Sequence, residues 1–340
     1  MGFASILLER FRENGRDLPW RQTRDPYAIW LSEIILQQTQ VKQGWEYWER
    51  FMHHWPTVQE LAAASEDEVL REWQGLGYYS RARNLHYAAR QIVALGHFPD
   101  TLEEIKLLKG VGDYTAAAIG SIAFGLPAAV VDGNVYRVLA RHFGIDTPIN
   151  TTEGKKLFAA LAQELLPQDT SLTSLHSPLN SEYNQAIMDF GAIQCTPQSP
   201  HCDSCPLMES CIAFREGRVA QLPVKLKTLK VTERHLIYIY IRCQGQTAIH
   251  RRGPGDIWQG LWVPLLADES IFSSLSTLLL PLKKNVKHVL THRVLYADFY
   301  LLETDERLKL PSDYIWIDES DLDNYALPRL IELLLSFLPK

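Results

Sequence analysis

Four cysteines crowd into one short stretch. Cys195, Cys202, Cys205 and Cys211 give the spacing C-x6-C-x2-C-x5-C. Four thiolates this close can converge on one centre, as an iron–sulfur cluster or a four-cysteine zinc site requires. Zinc ribbons pair two C-x2-C units, whereas this stretch has a single one, which favours a cluster. Two acids also stand out. Glu33 lies between apolar residues in Trp30-Leu31-Ser32-Glu33-Ile34-Ile35-Leu36, and Asp132 follows Ala128-Ala129-Val130-Val131. An acid amid apolar surface is either a paired structural residue or a group tuned for catalysis. Taken alone, Glu33 reads more readily as structural, and Asp132 as the N-cap of a helix from about Val135. Together they suit glycosidic chemistry, in which one acid protonates the leaving group and the other faces a cationic sugar.

Other groups point to nucleic acid. In Leu107-Leu108-Lys109-Gly110-Val111-Gly112, Gly110 and Gly112 turn the chain between two helical patterns. Such a hairpin lets backbone N–H groups approach a phosphate, although a plain helix–turn–helix corner reads the same way. Gln37 and Gln38 put amides at the end of the Glu33 helix, with Gln37 one turn from Glu33. Amides can read base edges, or simply solvate a helix end. Gly75 to Asn84 set Tyr78, Tyr79, Arg81 and Arg83 at a glycine turn. Aromatics there can wedge between bases and arginines can bind phosphate; the alternative is a tyrosine-lined core corner.

These residues need elements to hold them. Residues 1–218 read as helical, with amphipathic patterns at about 27–43, 66–74, 81–94, 101–108, 114–124, 135–141, 153–165 and 182–191. Gly and Pro punctuate the joins. Residues 219–230 form a polar connector containing Lys225, Lys227 and Lys230. Beyond it, residues 236–241, 247–250, 261–265, 295–302 and 314–317 carry strand patterns, and 270–279 and 328–338 helical ones. The expected architecture is multidomain: an all-α domain over 1–218, the connector, and an α+β domain over 231–340.

At 340 residues, 46% of them hydrophobic and 22% charged, the chain has material for two cores. No apolar run is long enough to span a bilayer, so no membrane role is expected. No secretory signal pattern is seen at the N-terminus, and the cysteine cluster suits a reducing compartment, so the expected location is the cytoplasm. Net charge is −6, made of −7 over residues 1–220 (19 basic, 26 acidic) and +1 over 221–340 (15 basic, 14 acidic). Bulk charge thus counts modestly against nucleic-acid binding, for which charge on one face matters more than the sum.

Taken in order, the motifs resemble those of the helix–hairpin–helix glycosylases of the endonuclease III superfamily, specifically the MutY branch of adenine DNA glycosylases. The matching pieces are Leu18-Pro19-Trp20-Arg21, Trp30-x-Ser32-Glu33-x3-Gln37-Gln38-Thr39-Gln40-Val41, Gly75-Leu-Gly-Tyr-Tyr, the hairpin, Val131-Asp132-Gly133-Asn134-Val135-x-Arg137-Val138-Leu139, Asn184-Gln185-Ala186 and the four cysteines. The resemblance implies a [4Fe-4S] cluster on Cys195, Cys202, Cys205 and Cys211. It implies Glu33 as general acid toward a flipped adenine and Asp132 as the stabiliser of the sugar cation, with Tyr114 and Asn134 supporting them. Arg21, Gln37 and Gln185 would hold adenine, and Gln38 and Tyr78 would intercalate around the mispair. The implied partner is double-stranded DNA carrying adenine opposite 8-oxoguanine or guanine, bound by a monomer.

Two departures matter. The lyase branch of the superfamily carries a lysine two residues after the hairpin Gly-Val-Gly; here that residue is Tyr114, which cannot form a Schiff base. A monofunctional enzyme that leaves an abasic site is therefore expected. The second domain resembles the Nudix-like domain that senses 8-oxoguanine in this branch, through Arg251-Arg252 and Trp258-Gln259-Gly260-Leu261-Trp262-Val263-Pro264. It lacks the Glu-rich Nudix signature, so no nucleotide hydrolysis is expected. Where the branch carries Phe-Ser-His, this chain has Leu290-Thr291-His292, which keeps a hydroxyl and the histidine but loses the aromatic wedge. Lys109 replaces a common proline in the hairpin. The competing readings are an endonuclease III-like enzyme for oxidised pyrimidines, and a non-catalytic DNA-binding protein with a structural metal site.

Overall fold

A computed structural model describes residues 2–167, 178–226 and 231–339. The connector residues Lys227 and Lys230 lie outside the described residues. The chain divides into two compact units, one of residues 1–62 and 87–227, the other of 63–86 and 228–340. Residues 63–86, which the sequence groups with the helical domain, thus pack with the second unit.

The first unit is helical. It opens with α1 (Phe3–Asn14), a short 3-10 turn at Pro19–Arg21, α2 (Pro26–Ile35), α3 (Val41–His54) and α4 (Val58–Ala63). After α5 (Glu66–Glu72) and α6 (Ser80–Leu95), whose residues up to His86 belong to the second unit, come α7 (Leu102–Leu107), α8 (Asp113–Phe124), α9 (Gly133–His142), α10 (Thr152–Leu165) and α11 (Pro178–Asp189). A wide π-type turn at Phe190–Gln194 leads into the cysteine loop and α12 (Ile212–Arg215).

Two helices organise this unit. Asp25 caps α2 by accepting from Tyr27 N at 3.0 Å, and every residue from Tyr27 to Ile35 is buried. A helix that is apolar all round belongs in a core, so Glu33 is carried inside with it. α8 is equally enclosed, with Thr115 to Ile122 all buried. Its small residues, Ala116, Ala117, Ala118 and Gly120, allow close approach; a Cβ at Gly120 would meet Leu102 Cδ2 at 2.9 Å. The expected helix over 27–43 stops at Ile35, because Gln38 adopts φ 60° and breaks the chain into a turn before α3.

The second unit is built on a mixed sheet of seven described strands: β1 (Thr232–Cys243), β2 (Gln246–Arg251), β3 (Trp262–Val263), β4 (Leu265–Ala267), β5 (Leu280–Val289), β6 (Arg293–Glu303) and β7 (Tyr314–Asp318). The main order is β3-β2-β1-β6-β5, with β4 on β1 and β7 on β2. β1 and β6 run parallel and all other pairs antiparallel. The period-2 pattern of β1 serves both faces. Ile239 and Ile241 join Tyr300 and Leu302 under α13 (Glu269–Leu275). Tyr238 and Phe299 face Phe337, just past α14 (Arg329–Ser336).

Residues 63–86 are tied to this unit by polar contacts. Gln74 Oε1 accepts from Leu327 N at 3.1 Å, and Arg251 Nη2 reaches Glu66 Oε1 at 2.8 Å. β5 went unread in the sequence, and α13 ends at Leu275 rather than at 279.

Candidate active site

The first unit holds a cavity of about 460 Å³ whose wall includes Glu33, Tyr114, Asp132, Asn134, Arg21 and Gln185. Three separate helices deliver the first three. Glu33 sits near the end of α2 at 7% exposure. Tyr114, in the first turn of α8, donates its hydroxyl to Glu33 Oε2 at 2.8 Å. Asp132 caps α9, its Oδ1 accepting from Val135 N at 2.8 Å, while Oδ2 accepts from Asn134 Nδ2 at 2.7 Å. Asp132 is therefore both a helix cap and a cavity carboxylate; the two readings open in the sequence are compatible.

The electrostatics set these acids apart from exposed ones. Burial drives Glu33 up to about 7; the Tyr114 hydrogen bond and the Arg21 charge pull the other way, and the Asp132 charge adds to the rise. Near neutral pH Glu33 can both hold and give a proton. Burial also raises Asp132, against the hydrogen bonds from Val135 and Asn134. Tyr114 is held well above its usual range by burial and then by the two carboxylates, so it stays a donor.

Arg21 lines the same cavity and is gripped by Asp189, Nη1 to Oδ2 at 2.9 Å and Nη2 to Oδ1 at 2.7 Å. Gln185 lines it too, with Nε2 donating to Ser181 Oγ at 2.9 Å. Gln37 is turned elsewhere: its Nε2 donates to Thr115 Oγ1 at 3.2 Å, and Thr39 and Gln40 supply the turn's side of the wall. Gln38 is exposed with left-handed backbone, which costs a non-glycine residue energy and gathers at functional sites.

The hairpin forms as read. Gly110 takes φ 83°, and Val111 N bonds Leu108 O at 3.1 Å. Gly112 is the N-cap of α8 with no side-chain cap, and a Cβ there would meet nothing within 4 Å. Gly112 and Asp113, which open α8, are exposed.

The four cysteines are free thiols round a second small cavity. Among the described residues no group is arranged to hold a single metal ion; the sulfurs surround a space instead. Burial pushes the Cys205 thiol up to about 11, against a backbone hydrogen bond from Leu207 and with a smaller push from the charges of the other three cysteines. Thiolates so placed need a cationic centre between them, and four converging sulfurs are the donor set of an iron–sulfur cluster.

Two buried arginines, to which no site role was assigned from the sequence, hold this loop. Arg141 donates to Thr196 O at 2.7 Å and Pro197 O at 3.1 Å, and its Nη1 lies 3.4 Å from Cys195 Sγ. Arg137 Nε donates to Cys195 O at 2.6 Å, and its Nη2 donates to Asn134 Oδ1 at 2.8 Å. One guanidinium therefore joins the cysteine loop to the residue that holds Asp132. Gly191, in the π-type turn, packs on the same spot; a Cβ there would come within 2.6 Å of Asn134 Cβ. Asp189 was also overlooked. Its signal, an acid among Ile187, Met188 and Phe190, is the one that marked Glu33.

The remaining expected residues lie in the second unit. Leu290, Thr291 and His292 form the turn between β5 and β6, closed by Leu290 N to Arg293 O at 2.8 Å. Within that unit the Thr291 hydroxyl is bonded to the Tyr78 hydroxyl. Tyr78 has φ 47° and is 45% exposed. Both line a cavity of about 660 Å³ that Trp258 and His288 help to enclose.

Among the described residues no helix is long and apolar enough to cross a membrane.

Residues 31–168 match the HhH-GPD superfamily of base excision DNA repair proteins, 195–211 the iron-sulfur binding domain of endonuclease III, and 237–336 the NUDIX domain. The chain therefore joins an endonuclease III-type helical fold to a Nudix-like one, and it carries a [4Fe-4S] cluster in residues 195–211. It is 43% identical over 235 residues to an adenine DNA glycosylase of Mus musculus, covering 65% of this chain but 44% of that one. The chain thus spans less than half the length of that relative. It is 35% identical over 263 residues to an adenine DNA glycosylase of Buchnera aphidicola, covering 76% and 73% of the two chains. A solved thermostable thymine-DNA glycosylase superposes with a TM-score of 0.56 at 31% identity, covering 63% of this chain and 95% of that one.

Proposed function

Since the chain belongs to the adenine DNA glycosylase family, we propose that it excises adenine from duplex DNA, where adenine lies opposite 8-oxoguanine or guanine. The observation that carries this reading is the meeting of Glu33, Tyr114 and Asp132 on one cavity wall, with Glu33 poised near neutrality. A stacked base must be flipped out before its glycosidic bond can be reached, and a mispair lowers that cost.

In the proposed reaction the α8 N-terminus and the Gly110–Gly112 hairpin bind backbone phosphate. Gln38 and Tyr78, both in left-handed backbone, enter the stack. Arg21 and Gln185 hold the extruded adenine, and Gln37 acts through Thr115 rather than on the base. Glu33 passes its proton to a ring nitrogen of adenine, and the N-glycosidic bond breaks with its electrons leaving on the base. Asp132, kept in place by Asn134, faces the cationic sugar until water adds and gives its proton to the Glu33 carboxylate, leaving free adenine, an abasic site and a reprotonated Glu33. Tyr114 holds the Glu33 carboxyl and, having no amine, forms no covalent link to the sugar. Cys195, Cys202, Cys205 and Cys211 ligate the cluster, which supplies a rigid anchor for the loop that Arg137 and Arg141 bind. In the second unit Thr291, with Tyr78 beside it, offers a hydroxyl to the base opposite adenine, flanked by Leu290 and His292. The enzyme is proposed to act as a monomer in the cytoplasm.

Single-turnover assays on duplexes with adenine opposite 8-oxoguanine, guanine or thymine, with and without alkali, test this reading. Adenine release opposite both guanines but not thymine, with strand cleavage only after alkali, is expected. No adenine release by cluster-loaded protein, or release of thymine from a thymine–guanine duplex instead, overturns it.

A further inference from the structure

Asp189 ends α11 at 2% exposure, and the chemistry above gives it no task. It accepts from two guanidinium groups on the cavity wall. Beyond the paired bonds to Arg21, it takes Arg16 Nε on Oδ1 at 2.8 Å and Arg16 N on Oδ2 at 2.9 Å. Arg21 is held from two further sides, by Arg16 O at 2.9 Å and by the Phe11 ring at 5.3 Å. A buried carboxylate is tolerated only with such partners.

The charged and titratable groups round Glu33 are Tyr114 on α8, Asp132 and Arg137 at the start of α9, Arg16 and Arg21 before α2, and Asp189 behind them. A positive group beside Glu33 favours its ionised form, yet a general acid must carry a proton into the reaction. Arg21 lines that cavity and its charge pulls on Glu33, so the charge has to be aimed and offset.

We infer that Asp189 is a positioning residue for adenine excision: it turns the Arg21 guanidinium along the cavity wall and offsets its charge, so that Glu33 keeps its proton. The inference rests on the reading of Glu33 as the general acid. Asp189→Asn removes the negative charge and frees Arg21, and both changes favour ionised Glu33.

The test follows the Glu33 carboxyl by infrared difference spectra against Glu33→Gln, in the native and Asp189→Asn backgrounds. The Glu33 midpoint is expected to fall by about one pH unit or more in Asp189→Asn. The alkaline limb of single-turnover adenine release should fall with it, costing about tenfold in rate at pH 8 and little at pH 5.5. Asp189→Glu should restore both. Arg21→Gln, which removes the charge being offset, should move the midpoint upward, and it serves should Asp189→Asn lose its cluster. An unmoved midpoint in Asp189→Asn or in Arg21→Gln overturns the inference, as does a rate loss equal at every pH. Absence of adenine release by the native protein would sink the proposed function, while the infrared titration would still decide the role of Asp189.

Discussion

Replacing Glu33 by Gln should stabilise the helical unit at alkaline pH while abolishing the proposed chemistry. Burial lifts the Glu33 carboxyl from 4.5 to about 7. At roughly 1.4 kcal/mol per unit, ionising it in the folded state costs about 3 kcal/mol. The folded value lies above the unfolded one, so the stabilising contribution is complete below about pH 4.5 and is lost as the pH climbs to about 7. Glutamine mimics the protonated acid and keeps an oxygen for the Tyr114 hydroxyl, which sits 2.8 Å from the carboxylate. Any packing difference is the same at every pH. The stability difference between Glu33→Gln and the native protein should therefore be near its minimum at pH 4 and larger by about 3 kcal/mol at pH 8. Urea unfolding followed at the helical circular-dichroism signal, at steps from pH 4 to 8, measures it. A difference that stays flat across this range would refute the claim that Glu33 is a buried acid with a raised titration point.

Asp132→Asn should keep the fold and lose the activity: asparagine still accepts from Val135 N and caps α9, but carries no charge to face a cationic sugar. Thermal melting within a few degrees of native, with adenine release down by about a hundredfold or more, is the expected pair of results; a melting temperature that collapses with activity would assign Asp132 to capping alone. Gly191→Ala should push Asn134 away from Asp132, because the added methyl has backbone and side-chain atoms of Asn134 within 2.6 to 3.0 Å. A stability loss of about 1–3 kcal/mol is expected, with a drop in single-turnover rate; an unchanged rate would show that Asn134 does not hold the catalytic carboxylate.

Features that depend on neighbours along the chain were legible in the sequence. The cysteine spacing, the Gly110 turn with Gly112 opening α8, the cap at Asp132 and the alternation of β1 and β6 are local matters of reach, backbone freedom and side-chain period. β5 escaped notice because Lys283, Lys284, Lys287 and His288 interrupt its apolar residues: at a sheet edge, paired only to β6, it has no buried face to impose an alternation. The helix expected over 27–43 failed at Gln38, whose left-handed backbone is one a glutamine rarely adopts and its own preference does not announce.

The site itself was decided only in three dimensions. Sequence marked Glu33 and Asp132 as acids in apolar surroundings, and its resemblance implied Tyr114 and Asn134 as their supports, but it could not give the bond from Tyr114 to Glu33 or show that Arg137 would tie Asn134 to the cysteine loop. Nor could it turn Gln37 toward Thr115, pair Asp189 with Arg16 and Arg21, or assign residues 63–86 to the second unit. Local pattern settles which face of an element is apolar and where it starts and stops. The partner of a buried charge is chosen by which distant elements close over it, because leaving such a group unpaired inside costs more than any local preference.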